Sequence, residues 1–360
     1  MHTRCTEVKK AREKPVSRAA RSRRAAGQRK KLKMKRVGYL YDRIMTAENI
    51  RAAWANYNAH RPICRRVEFD EARADRILGR MKSDFAGVIG RPRVKYIRES
   101  GKLRRLQIPA FESCIAQLAV WNICGPYVER RIHDNSYSSR KGKGGHALVR
   151  KVQRFVHTKA KAEARYCLYF DISKYYAHID KRIMLDRLRA IFKDERVIEL
   201  FAAVIASTDQ GLSIGYPFSH ALANLYLSPL YYLVASFRNV SRVWVYMDNW
   251  LIFSRFKAPL KRALKSARAY LRGLGCRIKG DWQIFPTAAR AVKVCGVRVG
   301  VTRDMLYRRL WRRTVRNFAR LVRGLGEGEL LGIKSRLGWL DLINRRFSPI
   351  FNYKGEYLWN

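Results

Sequence analysis

The chain has 360 residues, 48% of them hydrophobic, enough to fold and bury more than one core, so two or three subdomains are expected. Its 76 Lys and Arg against 28 Asp and Glu give a formal net charge of +48; residues 1–36, with 15 Lys or Arg and 2 Glu, carry +13 of this, and the +35 left over excludes a neutral body with a basic tail. Such a surface repels itself unless an anion covers it, and positive charge spread along the chain among many aromatics fits RNA or DNA better than a membrane.

In chain order, the opening stretch KKAREKPVSRAARSRRAAGQRKKLKMKR lacks the apolar segment of a secretory signal. It reads as a disordered phosphate-binding arm over residues 1–36, in preference to an organellar transit peptide. RVGYLYDRIMTAENIRAAW follows, with Tyr41, Ile44, Ile50 and Trp54 spaced to build a first helical region. In YIRESGKLRRLQIP the ESGK turn reads as a hairpin tip. Lys102, Arg104 and Arg105 stand just behind it; exposed cations are usually solvated surface, but a guanidinium fork suits phosphate. KGKGGHAL lacks the spacing of a phosphate-binding P-loop and reads as a Gly-rich lead into a helix.

YCLYFDISKYYAHIDKRIMLDRLRAIF places Asp171 at the end of a short buried strand, after which Ile183, Leu188 and Phe192 recur at helical spacing. Gly211 and Gly215 permit a close backbone approach, and Ala221, Leu222, Leu225 and Tyr226 begin an apolar helix. VYMDNWLIF reads as a β-hairpin with Asp248 at its tip, the Asp-Asn pair tolerating the left-handed backbone of a tight turn. A helix cap or a turn-stabilising role explains either acid alone. Two acids at the ends of apolar strands in so basic a chain point instead to a cation such as Mg²⁺. LGCRIKGDWQIFP and VKVCGVRVG are two further short strand candidates.

Beyond Leu306, Trp311, Val315, Phe318 and Val322 keep helical spacing while arginines crowd the other faces. The seven cysteines lie far apart, without a C-x-x-C pair or a His spaced as a zinc partner, and read as buried thiols of a reducing compartment. LYLSPLYYLVASF, the longest apolar run, is broken by Ser and Pro and is no membrane span. A soluble protein of a reducing compartment is expected.

Over nearly all of residues 37–345 these segments resemble reverse transcriptases. FDISKYYAHID looks like motif A, GLSIGYPFSHALANLYL like motif B, YMDN like motif C, LGCRIKGDWQIFP like motif D and CGVRV like motif E; YIRESGKLRRLQIPAFESCIAQLAV and SYSSRKGKGGHALVRKV resemble the fingers segments upstream. The resemblance implies an α/β (α+β) right-hand polymerase fold with fingers, a palm of antiparallel sheet plus helices, and a helical thumb. Its divisions would be 37–160 for the N-terminal region and fingers, 161–300 for the palm with motifs A to E, and 301–360 for the thumb and tail. It implies two Mg²⁺ ions about 3.5–4 Å apart, with Mn²⁺ as an alternative, bridged by Asp171 and Asp248 and met by the backbone carbonyl of Ile172. Tyr176 takes the family's place beneath the incoming sugar, where a ring excludes a 2′-hydroxyl; Arg104 matches the triphosphate-binding Arg, with Lys102 and Arg105 as secondary candidates. Lys279 falls near the motif D lysine that protonates departing pyrophosphate, with Arg277 competing.

Ile214 before Gly215, where most bacterial relatives carry Gln, resembles the reverse transcriptases of diversity-generating retroelements, as do YLYDRIMTAENIRAAW and WQIFP. Ile214 and Gly215 then line the dNTP site, copying is error-prone at adenines, and a small basic accessory protein joins template RNA, primer and cDNA as partner. His220 stands where that group has Gln, and Asn249 replaces the second Asp of motif C. Asn249 leaves two alternatives open: a reduced metal set in which its carbonyl oxygen serves, or a catalytically silent RNA-binding protein. A retron or group II intron enzyme is a third reading.

Overall fold

The computed structural model describes residues 35–59, 61, 63–99, 102–160, 162–300 and 304–306, so the expected arm and thumb helix lie outside the described residues. Tyr41, Ile44, Ile50 and Trp54 do sit on helices, α1 (Tyr41–Ile44) and α2 (Ala47–Ala59). Trp54 is buried between Phe69 and Phe111, with edge contacts at 5.2 and 4.7 Å, and its indole N–H donates to Val67 O at 2.9 Å. α3 (Glu71–Ser83) and α4 (Phe85–Ile89) begin at Asp70 and Asp84, whose carboxylates accept from Arg73 N and Gly87 N. β1 (Arg93–Glu99) and β2 (Lys102–Ile108) form the antiparallel hairpin that ESGK announces. α5 (Phe111–Arg131) and α6 (Gly145–Lys159) follow, the latter preceded by Gly144 at φ 111°.

At the centre stands an antiparallel sheet of order β4-β5-β3-β6, built from β3 (Tyr166–Asp171), β4 (Val240–Tyr246), β5 (Asn249–Ser254) and β6 (Gln283–Pro286). Its side chains alternate between two cores. Leu168, Phe170, Val243, Val245, Trp250 and Ile252 face the larger one, shared with α7 (Lys181–Arg189), α8 (Glu195–Ala206), α9 (Ser219–Ala235) and α10 (Lys257–Gly273). Cys167, Trp244, Leu251, Phe253 and Phe285 face the second, closed by Leu148, Val152 and Val156 of α6. Burial on both faces is why CLYF and WLIF read as unbroken apolar runs rather than alternating ones.

Three local expectations are corrected. The tight turn between β4 and β5 is Met247–Asp248, and the positive φ, 55°, falls on Met247 and not on the Asp-Asn pair, because Asn249 already belongs to β5. VKVCGVRVG is a hairpin, β7 (Val292–Val294) with β8 (Val297–Val299), extended by β9 (Asp304–Leu306); Cys295 at φ 46° and Gly296 at φ 82° supply the two left-handed residues of its turn. Of the cysteines described, Cys124, Cys167 and Cys276 are buried, Cys114 and Cys295 are half-buried and Cys64 is exposed, so thiol burial is not general. Among the described residues no helix is long and apolar enough to cross a membrane.

Candidate active site

Asp171 ends β3 directly opposite Asn249, the first residue of β5, and this register brings the β4–β5 turn beside it. The Ile172 N–H donates to Asp248 O at 3.1 Å. On the other side, Ser173 N donates to Arg277 O and Lys279 N to Asp171 O, both at 2.8 Å, so Ile172 and Ile278 form an antiparallel bridge. In an extended residue N–H and C=O point the same way, so the Ile172 carbonyl faces the Asp248 side of the strand. Backbone pairing thus holds two acids and a carbonyl together at one sheet end. Met247, a bulky residue with positive φ, adds backbone strain there.

The two carboxylates sense each other. Burial first, and the nearby Asp171 charge second, push the Asp248 carboxyl up to about 6, while Lys279 works against the rise. Lys279 Nζ lies 2.6 Å from Asp171 Oδ1, a buried oxygen with this charge contact but no well-directed hydrogen bond. The site is an oxygen-lined, cation-seeking pair, and hard divalent ions fit that donor chemistry. Among the described residues no group of three or more His, Cys, Asp or Glu is placed to hold a metal, so the set ends at two carboxylates plus backbone.

Asn249 is committed elsewhere. Its Nδ2 donates to Asp248 Oδ1 at 3.1 Å, and its Oδ1 accepts from the Tyr169 hydroxyl at 2.8 Å. A carboxylate can only accept, which fixes the amide with its NH₂ toward Asp248. The carbonyl oxygen expected to serve a metal is therefore turned onto Tyr169, and the amide steadies Asp248 instead.

Tyr176 lies in the short 3₁₀ turn Tyr175–His178 after β3. Its backbone O accepts from Leu212 N at 2.9 Å, and its hydroxyl meets His220 Nδ1 on α9 at 2.6 Å. Gly211, at φ 52°, makes the first contact possible, since a Cβ there would stand 2.0 Å from Tyr176 O. Gly215 packs as closely on Gln107 of β2, where a Cβ would lie 2.2 Å from its O, and the Ser213 hydroxyl donates to the same oxygen at 3.3 Å. Ile214, 37% exposed, lies in this loop, which joins α8 to α9 and packs on β2. Beside His220 opens a pocket of about 390 Å³ bordered by Trp121, Phe218, Lys141 and Lys143, whose lysines suit phosphate.

The fingers candidates divide. Arg105 is ion-paired on the surface with Asp209, a partner 104 positions away that no local pattern marks. Lys102 and Arg104 lie on β2 opposite Glu99 and Ile97.

A family model described as reverse transcriptase (RNA-dependent DNA polymerase) matches residues 97–299, more than half of the chain. Protein YkfC of Escherichia coli (strain K12) is 25% identical over 146 residues, which are 38% of this chain and 38% of YkfC. Among solved structures, telomerase from Candida Tropicalis in complex with a TWJ fragment of telomeric RNA superposes with a TM-score of 0.50 at 11% identity, over 78% of this chain and 59% of its own. Apo telomerase from Candida Tropicalis, truncated from its C-terminal domain, gives a TM-score of 0.47 at 10% identity, over 66% and 61%. The chain spans about two fifths of the curated relative and three fifths of the telomerase chains. Its mixed arrangement of helices and antiparallel sheets is the polymerase fold of such enzymes. With the match running from β1 to β8, through both acidic strand ends, the chain belongs to the reverse transcriptase (RNA-dependent DNA polymerase) family.

Proposed function

We propose that this chain is an active RNA-directed DNA polymerase that copies a retroelement template RNA into cDNA. The juxtaposition of Asp171, at the end of β3, with Asp248, in the β4–β5 turn that the Ile172 N–H bond to Asp248 O holds beside it, is the observation that carries this reading. Two divalent cations, Mg²⁺ or Mn²⁺, held by Asp171, Asp248 and the Ile172 carbonyl would activate a primer 3′-hydroxyl and neutralise a triphosphate. Lys279, ion-paired with Asp171, is the proposed donor of a proton to leaving pyrophosphate, with Arg277 as the competing candidate. Tyr176 bounds the sugar site and admits dNTPs in preference to rNTPs. Arg104 is the proposed triphosphate ligand, with Lys102 and Arg105 beside it. Residues 37–160 would act as N-terminal region and fingers, 161–300 as palm and 301–360 as thumb, in the cytoplasm of a prokaryotic or phage-infected cell. The net charge of +48 supplies the grip on template, primer and cDNA.

Within the family the diversity-generating subtype is favoured by Ile214, an exposed aliphatic side chain that offers a nascent base pair no hydrogen bond. A small basic accessory protein belongs to that proposal. The test is cDNA synthesis on a defined RNA template followed by sequencing. Misincorporation is expected to concentrate opposite adenine, and Ile214→Gln is expected to lower it there by about threefold or more, the worth of one hydrogen bond. Equal error rates at all four bases would reject the subtype.

A second reading, a silent RNA-binding protein, is favoured by Asn249, whose oxygen is spent on Tyr169. Asn249→Asp adds a charged oxygen ligand, and the Mg²⁺ concentration for half-maximal primer extension is expected to fall about tenfold. A parent that matches Asp248→Ala at every Mg²⁺ and Mn²⁺ concentration, while Asn249→Asp extends, would establish the silent reading.

A further inference from the structure

The proposed sugar-site tyrosine is tied to the motif B helix twice in succession. Tyr175, buried, donates its hydroxyl to Ala223 O at 2.5 Å, and Tyr176 reaches His220 Nδ1 at 2.6 Å. Residues 220 and 223 are three apart and share one face of α9, so the 3₁₀ turn is fastened along a single helical ridge. The Tyr176 carbonyl is held separately by Leu212 N–H. The Tyr175 ring packs beside Tyr176 at 5.6 Å, inclined by 64°, while the His220 ring, 5.8 Å away and inclined by 83°, meets it end-on at the hydroxyl. Burial keeps the Tyr176 proton in place and disfavours a charged His220, consistent with a phenol donating to a neutral imidazole.

We infer that His220 is a positioning residue for nucleotide selection: by accepting from the Tyr176 hydroxyl it fixes the ring against the sugar site and sharpens discrimination against a 2′-hydroxyl. A ring held at its backbone, one side and its tip cannot swing aside for the extra oxygen, whereas one released at its tip has a soft torsion to yield along. The inference rests on the proposed place of Tyr176 beside the incoming sugar. It assigns a purpose to the His220 departure, since an imidazole is an acceptor of the right reach and a Gln retains one.

The test compares rNTP with dNTP incorporation on one RNA template for the parent, Tyr176→Ala, Tyr176→Phe, His220→Ala, His220→Gln and the Tyr176→Phe/His220→Ala double variant. Tyr176→Phe and His220→Ala are each expected to raise the ribonucleotide share about three- to tenfold, the loss of one hydrogen bond. The double variant should do no more than either, and His220→Gln should restore most of the selectivity. If Tyr176→Ala relaxes the ratio but Tyr176→Phe and His220→Ala do not, His220 has no such role while the sugar-site reading stands. If Tyr176→Ala changes nothing, that reading fails and the inference with it. A readout without turnover is the ¹⁵N spectrum of the His220 ring: an unprotonated, hydrogen-bonded Nδ1 that shifts in Tyr176→Phe is expected, and a protonated Nδ1, or no shift, overturns the tether.

Discussion

Asp248→Asn is expected to raise the melting temperature of the metal-free protein at pH 7 while reducing dNTP incorporation by on the order of 10³-fold. Both effects come from one electrostatic arrangement. The folded chain holds the Asp248 carboxyl at about 6, against about 3.9 for an unfolded Asp, so between those values the folded state keeps a proton that the unfolded state has released. Stability present below about pH 4 is therefore lost as pH rises toward 6, and at pH 7 the folded chain bears the full cost of a charged, partly buried Asp248 and of its repulsion from Asp171. Because Asp248 is only half-buried, solvent reduces this to about 1–2 kcal/mol, or a few degrees in melting temperature. The amide removes the burial cost of the charge, the repulsion and the downward slope, and with them the charge that an incoming cation needs. Thermal unfolding at pH 4.5 and 7, with and without Mg²⁺, measures it. A parent that is more stable at pH 7 than at pH 4.5, without metal and relative to Asp248→Asn, contradicts the crowding.

Gly211→Ala is expected to destabilise the chain by about 2–4 kcal/mol and to depress primer extension with it. The added methyl would stand 2.0 Å from Tyr176 O and 2.9 Å from Ala177 C, both backbone atoms that cannot rotate away, and the residue sits at φ 52°. Relief requires breaking the Leu212 N–H bond to Tyr176 O, which frees the 3₁₀ turn from the motif B loop. Gly79→Ala is the control: it lies on exposed α3 with nothing within 4 Å of a Cβ, and a gain of about 0.5–1 kcal/mol follows from helix propensity. Chemical denaturation of the two variants checks the contrast. Equal stabilities would show that the Gly211 contact relaxes without cost.

Much of this was legible because strands buried on both faces write themselves as continuous apolar runs, and acids closing such runs stand out in a basic chain. Asp171 and Asp248 were marked in that way, and the motif order then carried Tyr176, Ile214 and Gly215 with them. The glycines were legible as places of close approach, but not what they approach. α10 went unforeseen although Leu260, Ala263, Leu264, Ala267 and Leu271 recur at helical spacing, because small alanines make a thin stripe among many cations. The hydrogen bonds that bear on individual roles join distant residues: Tyr169 to Asn249 across 80 positions and Tyr176 to His220 across 44. No local pattern announces them. Asn249 shows the consequence, since its chemistry alone offered a carbonyl to a metal while the fold directs that oxygen to a phenol.

Asp171 and Asp248 together are proposed to make this chain a polymerase. That role is tested most directly by extending a DNA primer on a defined RNA template with the parent and with Asp171→Asn, over a Mg²⁺ and Mn²⁺ titration, while RNA binding is measured on the same preparations. Metal-dependent extension by the parent, none by Asp171→Asn, and RNA affinities within about threefold of each other are expected, because phosphate contacts by Lys and Arg carry the binding. Extension by Asp171→Asn at the parental rate, with both proteins binding RNA alike, would contradict that role.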